Sequence, residues 1–326
     1  MSKEISISVQ NVIKTYGGSI RALDKLNFYV STGSVFRLVG PNGAGKSTAV
    51  KIMTTLTKAD SGIVTIAGHD ILQNPNEIRK RIGCVFQKSG AFLDGTGREN
   101  LTLQGEIYGL RGQGLKKKVT ELLDFFKLID AADRHVAGYS GGMMRKLDIA
   151  MGLIHSPSIL FLDEPTTGLD PESRSELWKT IAFLSNEKKV TILLTTHYLE
   201  EVDHLADRLA IINKGKIVVE GVPDALKREL KGDIIQISLS EANTNLPSLE
   251  TSLLNLNGVN QADLCNDNIR LRVYDGSKVL VEVLQLLYAV NTHVLSATVI
   301  PPSLDEVYLK HTGEHYKINQ ISQMNS

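Results

Sequence analysis

Cysteine is nearly absent from this chain. The two present, Cys84 and Cys265, lie far apart without C-x-x-C spacing, which suggests neither a disulfide framework nor a cysteine zinc site and fits a reducing compartment. An excess of charge is also missing: Lys plus Arg and Asp plus Glu number 36 each. No basic field exists for non-specific nucleic-acid binding, so no nucleic-acid partner is expected. The run Lys116-Lys117-Lys118 opens a helical pattern and reads as a solvated helix face. No apolar run reaches the roughly 18 residues needed to span a bilayer. The stretch Met1 to Val9 has no apolar signal segment. Any work at a membrane is therefore expected to use other chains.

What is present is enough length for two domains, at 326 residues. Strand patterns cover Ile5 to Val12, Val35 to Val39, Gly62 to Ala67, Ile82 to Phe86, Ile159 to Leu162 and Val190 to Thr195. A hairpin from Leu209 to Val219 turns at Asn213-Lys214-Gly215, and Lys46 to Leu56 reads as a helix. Between Gln87 and Ser140 the period becomes helical, with a capping box at Thr96 and Glu99 and one apolar face at Leu115, Val119, Leu122, Leu123 and Phe126. We read a nucleotide-binding domain over 1–232, with a helical insertion at about 88–156. A small accessory domain follows over 233–313, then a flexible tail over 314–326. The second domain runs β-α-β-β-α-β, the ferredoxin-like order, with inward positions Ile235, Ile237 and Leu239 on its first strand and Leu295, Ala297 and Val299 on its last. Two of its strands part at Asn266-Asp267, and Ser303 with Glu306 caps a last helix.

Chemistry concentrates at a few points. The segment Gly40-Pro41-Asn42-Gly43-Ala44-Gly45-Lys46-Ser47 matches the G-x-x-x-x-G-K-[ST] phosphate-binding loop, placed as required between a strand and a helix. Its glycines permit the turn, and its amides and the helix N-terminus face the phosphates. Lys46 reaches the β- and γ-phosphates, Ser47 offers a hydroxyl to Mg²⁺, and Thr48 reaches the α-phosphate. Asp163 and Glu164 end an apolar strand at a sheet's carboxyl edge, where two adjacent carboxylates are costly without a cation. Asp163 is suited to Mg²⁺ and Glu164 to accepting a proton from an attacking water. Ser140, Gly141 and Gly142 open a helix that aims its N-terminus at an anion, and Ser140 is also a plain helix cap. Asp170 before Pro171 is a good N-cap in its own right.

Taken in order, the loop, Tyr139-Ser140-Gly141-Gly142, Asp163-Glu164 and Thr196-His197 resemble the ATP-binding-cassette (ABC) ATPases. The resemblance implies a mixed α/β cassette with an inserted helical subdomain, and hydrolysis of ATP sandwiched between two subunits. Ser140 to Gly142 would act in trans on the partner's γ-phosphate, and Gly168 to Asp170 would run along the dimer interface. Gln87 would sit in the loop that touches Mg²⁺ or the water and senses the transporter. His197 would contact the γ-phosphate and order Glu164. Tyr16 would stack on adenine, with a core aromatic as its rival. Tyr139 and Met143 depart from the family's Leu and Gln, and Arg37 stands where relatives often have a small residue.

Three stretches, Thr96 to Leu101, His135 to Ala150 and Pro301 to Leu309, look like the ATPase subunits of daunorubicin-resistance-type exporters. That implies a homodimer on the cytoplasmic face of the membrane, attached to separate permease subunits and exporting a drug or lipid-like compound. A translation or DNA-associated ABC ATPase, or a regulatory ATP-binding module, is the alternative.

Overall fold

The computed structural model describes residues 4–199, 206–230, 232–240, 246–265 and 268–313. The expected turn at 266–267 and the tail over 314–326 lie outside the described residues. The chain divides into two compact units at Val222 and Pro223, ten residues ahead of the position where the composition changes. The short helix from Pro223 to Arg228 thereby goes with the second unit.

The first unit holds two sheets. Strands β1 (Ile5–Tyr16), β2 (Ile20–Ser31), β4 (Ser61–Ile66) and β5 (His69–Asp70) form an antiparallel sheet in the order β2-β1-β4-β5. Strands β3 (Val35–Val39), β6 (Ile82–Val85), β7 (Ile159–Asp163), β8 (Thr191–Thr196), β9 (Arg208–Asn213) and β10 (Lys216–Gly221) form a sheet ordered β10-β9-β3-β8-β7-β6. It is parallel except at its β10 edge.

Both faces of this second sheet are covered, which explains its unbroken apolar runs. On β7 the side chains alternate between two cores: Leu160 and Leu162 in one, Ile159 and Phe161 in the other. The first core takes in the helices α3 (Gly97–Ile107), α4 (Gly112–Phe125), α5 (Gly141–Leu153) and α6 (Pro171–Asn186) through Leu101, Val119, Leu147 and Ile181. The second joins the antiparallel sheet to helix α1 (Lys46–Met53). Helix α2 (Pro75–Arg81) adds Ile78 to it.

The expected capping box is formed: Thr96 N–H donates to Glu99 at 2.8 Å and Glu99 N–H to the Thr96 hydroxyl at 3.1 Å. Helix α1 stops at Met53, short of Leu56, because the Thr54 hydroxyl donates to the Val50 carbonyl at 2.8 Å and Thr55 turns into the left-handed region, φ 63°. Cys84 is largely buried on β6, and burial pushes its thiol up to about 12.

In the second unit, α7 (Pro223–Arg228) precedes β11 (Asp233–Leu239), α8 (Leu246–Leu254), β12 (Val259–Cys265), β13 (Asn268–Val273), α9 (Gly276–Ala289), β14 (Val294–Ile300) and α10 (Leu304–Thr312). The sheet order β12-β13-β11-β14, antiparallel throughout, is the ferredoxin-like arrangement. One expected inward residue faces out. Leu295 is 69% exposed because the pairing slips between Ser238 opposite Ser296 and Leu239 opposite Val294. The bulge turns Leu295 outward and lets Val294 pack on the core instead.

Candidate functional site

Parallel strands place their carboxyl ends along one edge, and the chemistry-bearing segments leave from that edge. The phosphate-binding loop leaves β3, Glu164 follows β7, His197 follows β8, and Gln87 lies two residues beyond β6. Gly45, the residue before α1, has φ 110°, and a side chain there would strike the Ala22 carbonyl and Leu23. Only glycine fits, and α1 consequently starts without a side-chain cap.

Lys46 is 4% exposed. It donates to the carbonyls of Gly40 at 2.7 Å and Pro41 at 3.2 Å, and its Nζ lies 3.4 Å from Glu164 Oε1. Burial pulls its pKa down, opposed by the charges of Glu164 and then Asp163. The Ser47 hydroxyl donates to Asp163 Oδ1 at 3.2 Å, and the buried Thr195 hydroxyl donates to the same oxygen at 2.5 Å. Glu164 Oε2 lies 3.1 Å from His197 Nδ1 and accepts from the Thr167 hydroxyl at 3.3 Å. Both carboxylates are buried, at 5% and 7% exposure. Glu164 itself has φ 48°, an uncommon conformation for a residue with a side chain.

The structure thus joins Lys46, Ser47, Asp163, Glu164 and His197 in one connected group. Around it, Asn42, Gly43, Ser47 and Gln87 are exposed, Thr48 is half-buried and Ala44 is buried. Tyr16 ends β1 with 40% of its surface exposed, which is not the environment of a core aromatic. Among the described residues no cluster of three or more His, Cys, Asp or Glu side chains could hold a metal unaided. A hydroxyl and a carboxylate 3.2 Å apart nevertheless form a hard-oxygen pair suited to Mg²⁺, which usually completes its shell with water and substrate phosphate.

The Ser-Gly-Gly segment forms a second group. Ser140 caps α5, accepting from Met143 N–H at 3.3 Å, and both Ser140 and Gly141 are exposed. Gly142 is buried beneath α6, where a side chain would collide with the Ser173 hydroxyl. Asp170 accepts from Ser173 N–H at 2.9 Å and its hydroxyl at 2.7 Å, and these bonds hold its carboxyl below the usual range. Tyr139 is buried and donates its phenol to the Ala131 carbonyl at 2.8 Å. That bond and the close packing on Gly97 account for an aromatic residue there. Met143 takes a contact from Arg134 through its sulfur at 3.6 Å.

Two buried arginines stand near this machinery. Arg37, fully buried on β3, stacks its guanidinium over Trp178 of α6 at 4.4 Å. Arg145 of α5 donates to the carbonyls of Phe86 at 2.7 Å, Glu164 at 2.8 Å and Pro165 at 2.8 Å. Sequence reasoning did not find Arg145, because its partners are main-chain atoms distant along the chain.

A family model described as ABC transporter matches residues 23–167. A second, described as the C-terminal domain of DrrA1-3-like ATP-binding proteins, matches residues 221–312. The daunorubicin resistance ATP-binding protein DrrA2 of Streptomyces coeruleorubidus is 41% identical, over 94% of this chain and 95% of its own length. The Nod factor export ATP-binding protein I of Sinorhizobium fredii is 37% identical, over 96% of this chain and 88% of its own. Among solved structures, the dimeric, ADP- and phosphate-bound cassette MJ0796 is 28% identical with a TM-score of 0.61. The match covers 66% of this chain and 98% of that one.

Proposed function

The chain belongs to the ATP-binding subunits of ABC transporters, in the daunorubicin-resistance-type branch, and from that membership we propose how its residues hydrolyse ATP and what the hydrolysis drives. The observation that carries the reading is the connected group at the sheet edge, in which one buried lysine, one hydroxyl and two buried carboxylates converge.

ATP places its phosphates in the loop from Gly40 to Ser47, where the amides and the uncapped start of α1 receive them. Lys46 turns from the Gly40 and Pro41 carbonyls toward the β- and γ-phosphates, and Thr48 reaches the α-phosphate. Mg²⁺ would be held by Ser47 and Asp163, with Gln87 alongside, and would neutralise charge on the phosphates. Thr195 fixes Asp163 for that task through its short hydroxyl bond. Glu164 accepts the proton of the attacking water as phosphoryl transfer proceeds. His197 Nδ1 lies 3.1 Å from Glu164, and in this reading the imidazole orders that carboxylate and contacts the γ-phosphate. Tyr16 stacks on adenine.

The sites are composite in this reading. Ser140, Gly141 and Gly142 of one copy close on the γ-phosphate held by the other, and Asp170 runs along the interface. Exposure of Ser140 and Gly141 and the dimeric state of the related MJ0796 cassette support this arrangement.

ATP hydrolysis drives an exporter. Among the described residues no helix is long and apolar enough to cross a membrane, and the relatives are ATP-binding proteins; in this reading the translocation path belongs to separate permease subunits. We place the ATPase peripherally at the cytoplasmic face, gripping them through the helices α3 to α5. The relatives named for daunorubicin resistance and Nod factor export point to a drug or other amphipathic cargo. The second unit serves assembly or regulation. Affinity purification of the tagged chain from detergent-solubilised membranes should bring down an integral-membrane subunit. Recovery of the chain alone, with full activity in the soluble fraction, would contradict the assignment to an exporter.

A further inference from the structure

Helix α5 does more than present its N-terminus. Its buried side chains reach two of the segments that leave the sheet edge, and a single arginine joins them. Arg145 is 6% exposed, and its Nη1 bonds the Phe86 carbonyl, immediately before Gln87. Its Nη2 and Nε bond the carbonyls of Glu164 and Pro165. One turn further along, buried Asp148 accepts from the Ser89 hydroxyl at 2.8 Å and Gly90 N–H at 3.2 Å. The Gln87 loop is therefore pinned on both sides, by Arg145 at residue 86 and by Asp148 at residues 89 and 90.

The Glu164 peptide is pinned likewise. Its N–H lies between the Thr195 carbonyl at 3.2 Å and hydroxyl at 3.0 Å, and its carbonyl accepts from Arg145 at 2.8 Å and, more weakly, from Thr167 N–H at 3.4 Å. Glu164 is the residue with φ 48°. A side-chain-bearing residue keeps such a conformation only where its surroundings over-determine it. On the carbonyl side Arg145 supplies the shorter, charged hydrogen bond of the two. The rigid guanidinium fork, with five donors in a plane, reaches three carbonyls of two segments together, whereas a lysine ammonium is a single point on a flexible stem. Burial lowers the Arg145 pKa, opposed by the charges of Asp148 and Asp163.

We propose that Arg145 and Asp148 are positioning residues, which hold the peptide of Glu164 and the loop of Gln87 in the hydrolytic arrangement and so set turnover rather than nucleotide affinity. The inference rests on the reading of Glu164 and Gln87 given above. Among the described residues, the side-chain hydrogen bonds of the pair run to Phe86, Ser89, Gly90, Glu164 and Pro165 and none to the phosphate-binding loop, so ADP affinity is the natural control.

The test measures single-turnover hydrolysis, KM and ADP affinity for wild type, Arg145→Lys, Ser89→Ala, Glu164→Gln and the double variant Arg145→Lys/Glu164→Gln. Arg145→Lys should lower the rate about 10- to 100-fold, the usual consequence of a small misplacement, with KM and ADP affinity within about threefold of wild type. In the Glu164→Gln background the same substitution should cost at least about threefold less than in wild type, because the catalytic carboxylate it positions is gone and only its hold on the Gln87 loop remains; residues acting as a unit are non-additive in this way. Equal losses in both backgrounds would overturn the assignment, as would a normal rate in Arg145→Lys. Should Arg145→Lys fail to bind ADP, the exposed Ser89→Ala decides. A rate loss of a few-fold with ADP affinity retained supports the proposal, and a wild-type rate removes it. A wild-type protein without ATPase activity would instead sink the functional reading and is distinguished at the outset.

Discussion

Replacing Glu164 by Gln separates chemistry from binding. The substitution preserves volume and keeps an oxygen for the Thr167 hydroxyl 3.3 Å away, but it removes the charge and the capacity to take a proton. Loss of a general base costs about 10²- to 10⁴-fold in rate, or roughly 3–5 kcal/mol of transition-state stabilisation. The structure adds a second consequence. Lys46, 4% exposed, loses the carboxylate 3.4 Å away and retains only two carbonyl acceptors and the more distant charge of Asp163. An under-compensated buried ammonium destabilises the nucleotide-free protein by about 1–3 kcal/mol. ATP phosphates restore its charge partner, so the rise in Tm on adding ATP should be larger in Glu164→Gln than in wild type. Single-turnover hydrolysis and thermal unfolding with and without ATP read both effects. Near-normal turnover would remove Glu164 from the role of base, and an unchanged ATP-dependent shift would refute the account of Lys46.

Glu99 tests the capping box by pH. Hydrogen bonds from the Thr96 N–H and hydroxyl hold its carboxyl below the usual range, so its contribution is present above the unfolded pKa of about 4.3 and is lost as pH falls through the lower folded value. Thermal stabilities of wild type and Glu99→Gln, which keeps the box geometry, should therefore differ at pH 7 and converge as pH falls through the lowered folded value; a constant gap would contradict this. Ending the chain at Val222, where the two units divide, should leave ATP affinity within about threefold while weakening dimerisation or permease capture. A folded truncation without ATP binding would show that the second unit completes the site.

Much of the fold was legible because apolar alternation marks buried strands. The compact runs of β3 and β7 stood out, and so did the complete β-α-β-β-α-β pattern of the second unit. Strand β2 escaped because its alternation at Leu26, Phe28 and Val30 is interrupted upstream by a register shift near Lys25, which has φ 55°. Helix α2 is short and charged, burying only Ile78, and gives almost no periodic signal. Leu295 was misplaced because a bulge inverts the inside-outside alternation without leaving a mark in composition. At the site, the residues the fold brings together, Lys46, Ser47, Asp163, Glu164 and His197, were readable from motif spacing. Arg145 was not, since its partners are carbonyls of Phe86, Glu164 and Pro165, which carry no side-chain signature. Arg37 became intelligible only when the fold laid Trp178 over its guanidinium.

Complementation between two inactive copies tests the central claim most directly. Lys46→Ala removes the charge that faces the phosphates, and Ser140→Arg blocks the exposed cap of α5 that would close on the partner's nucleotide. Each homodimer should be inactive, because both of its sites carry a defect. In a mixed dimer the two defects fall in the same site and the other site is intact, so mixing should restore hydrolysis to up to about half the wild-type rate per dimer where the two sites act independently. Subunit exchange is verified by differential tags. A mixture that exchanges subunits yet recovers no ATPase activity would contradict composite sites shared between two copies of this chain.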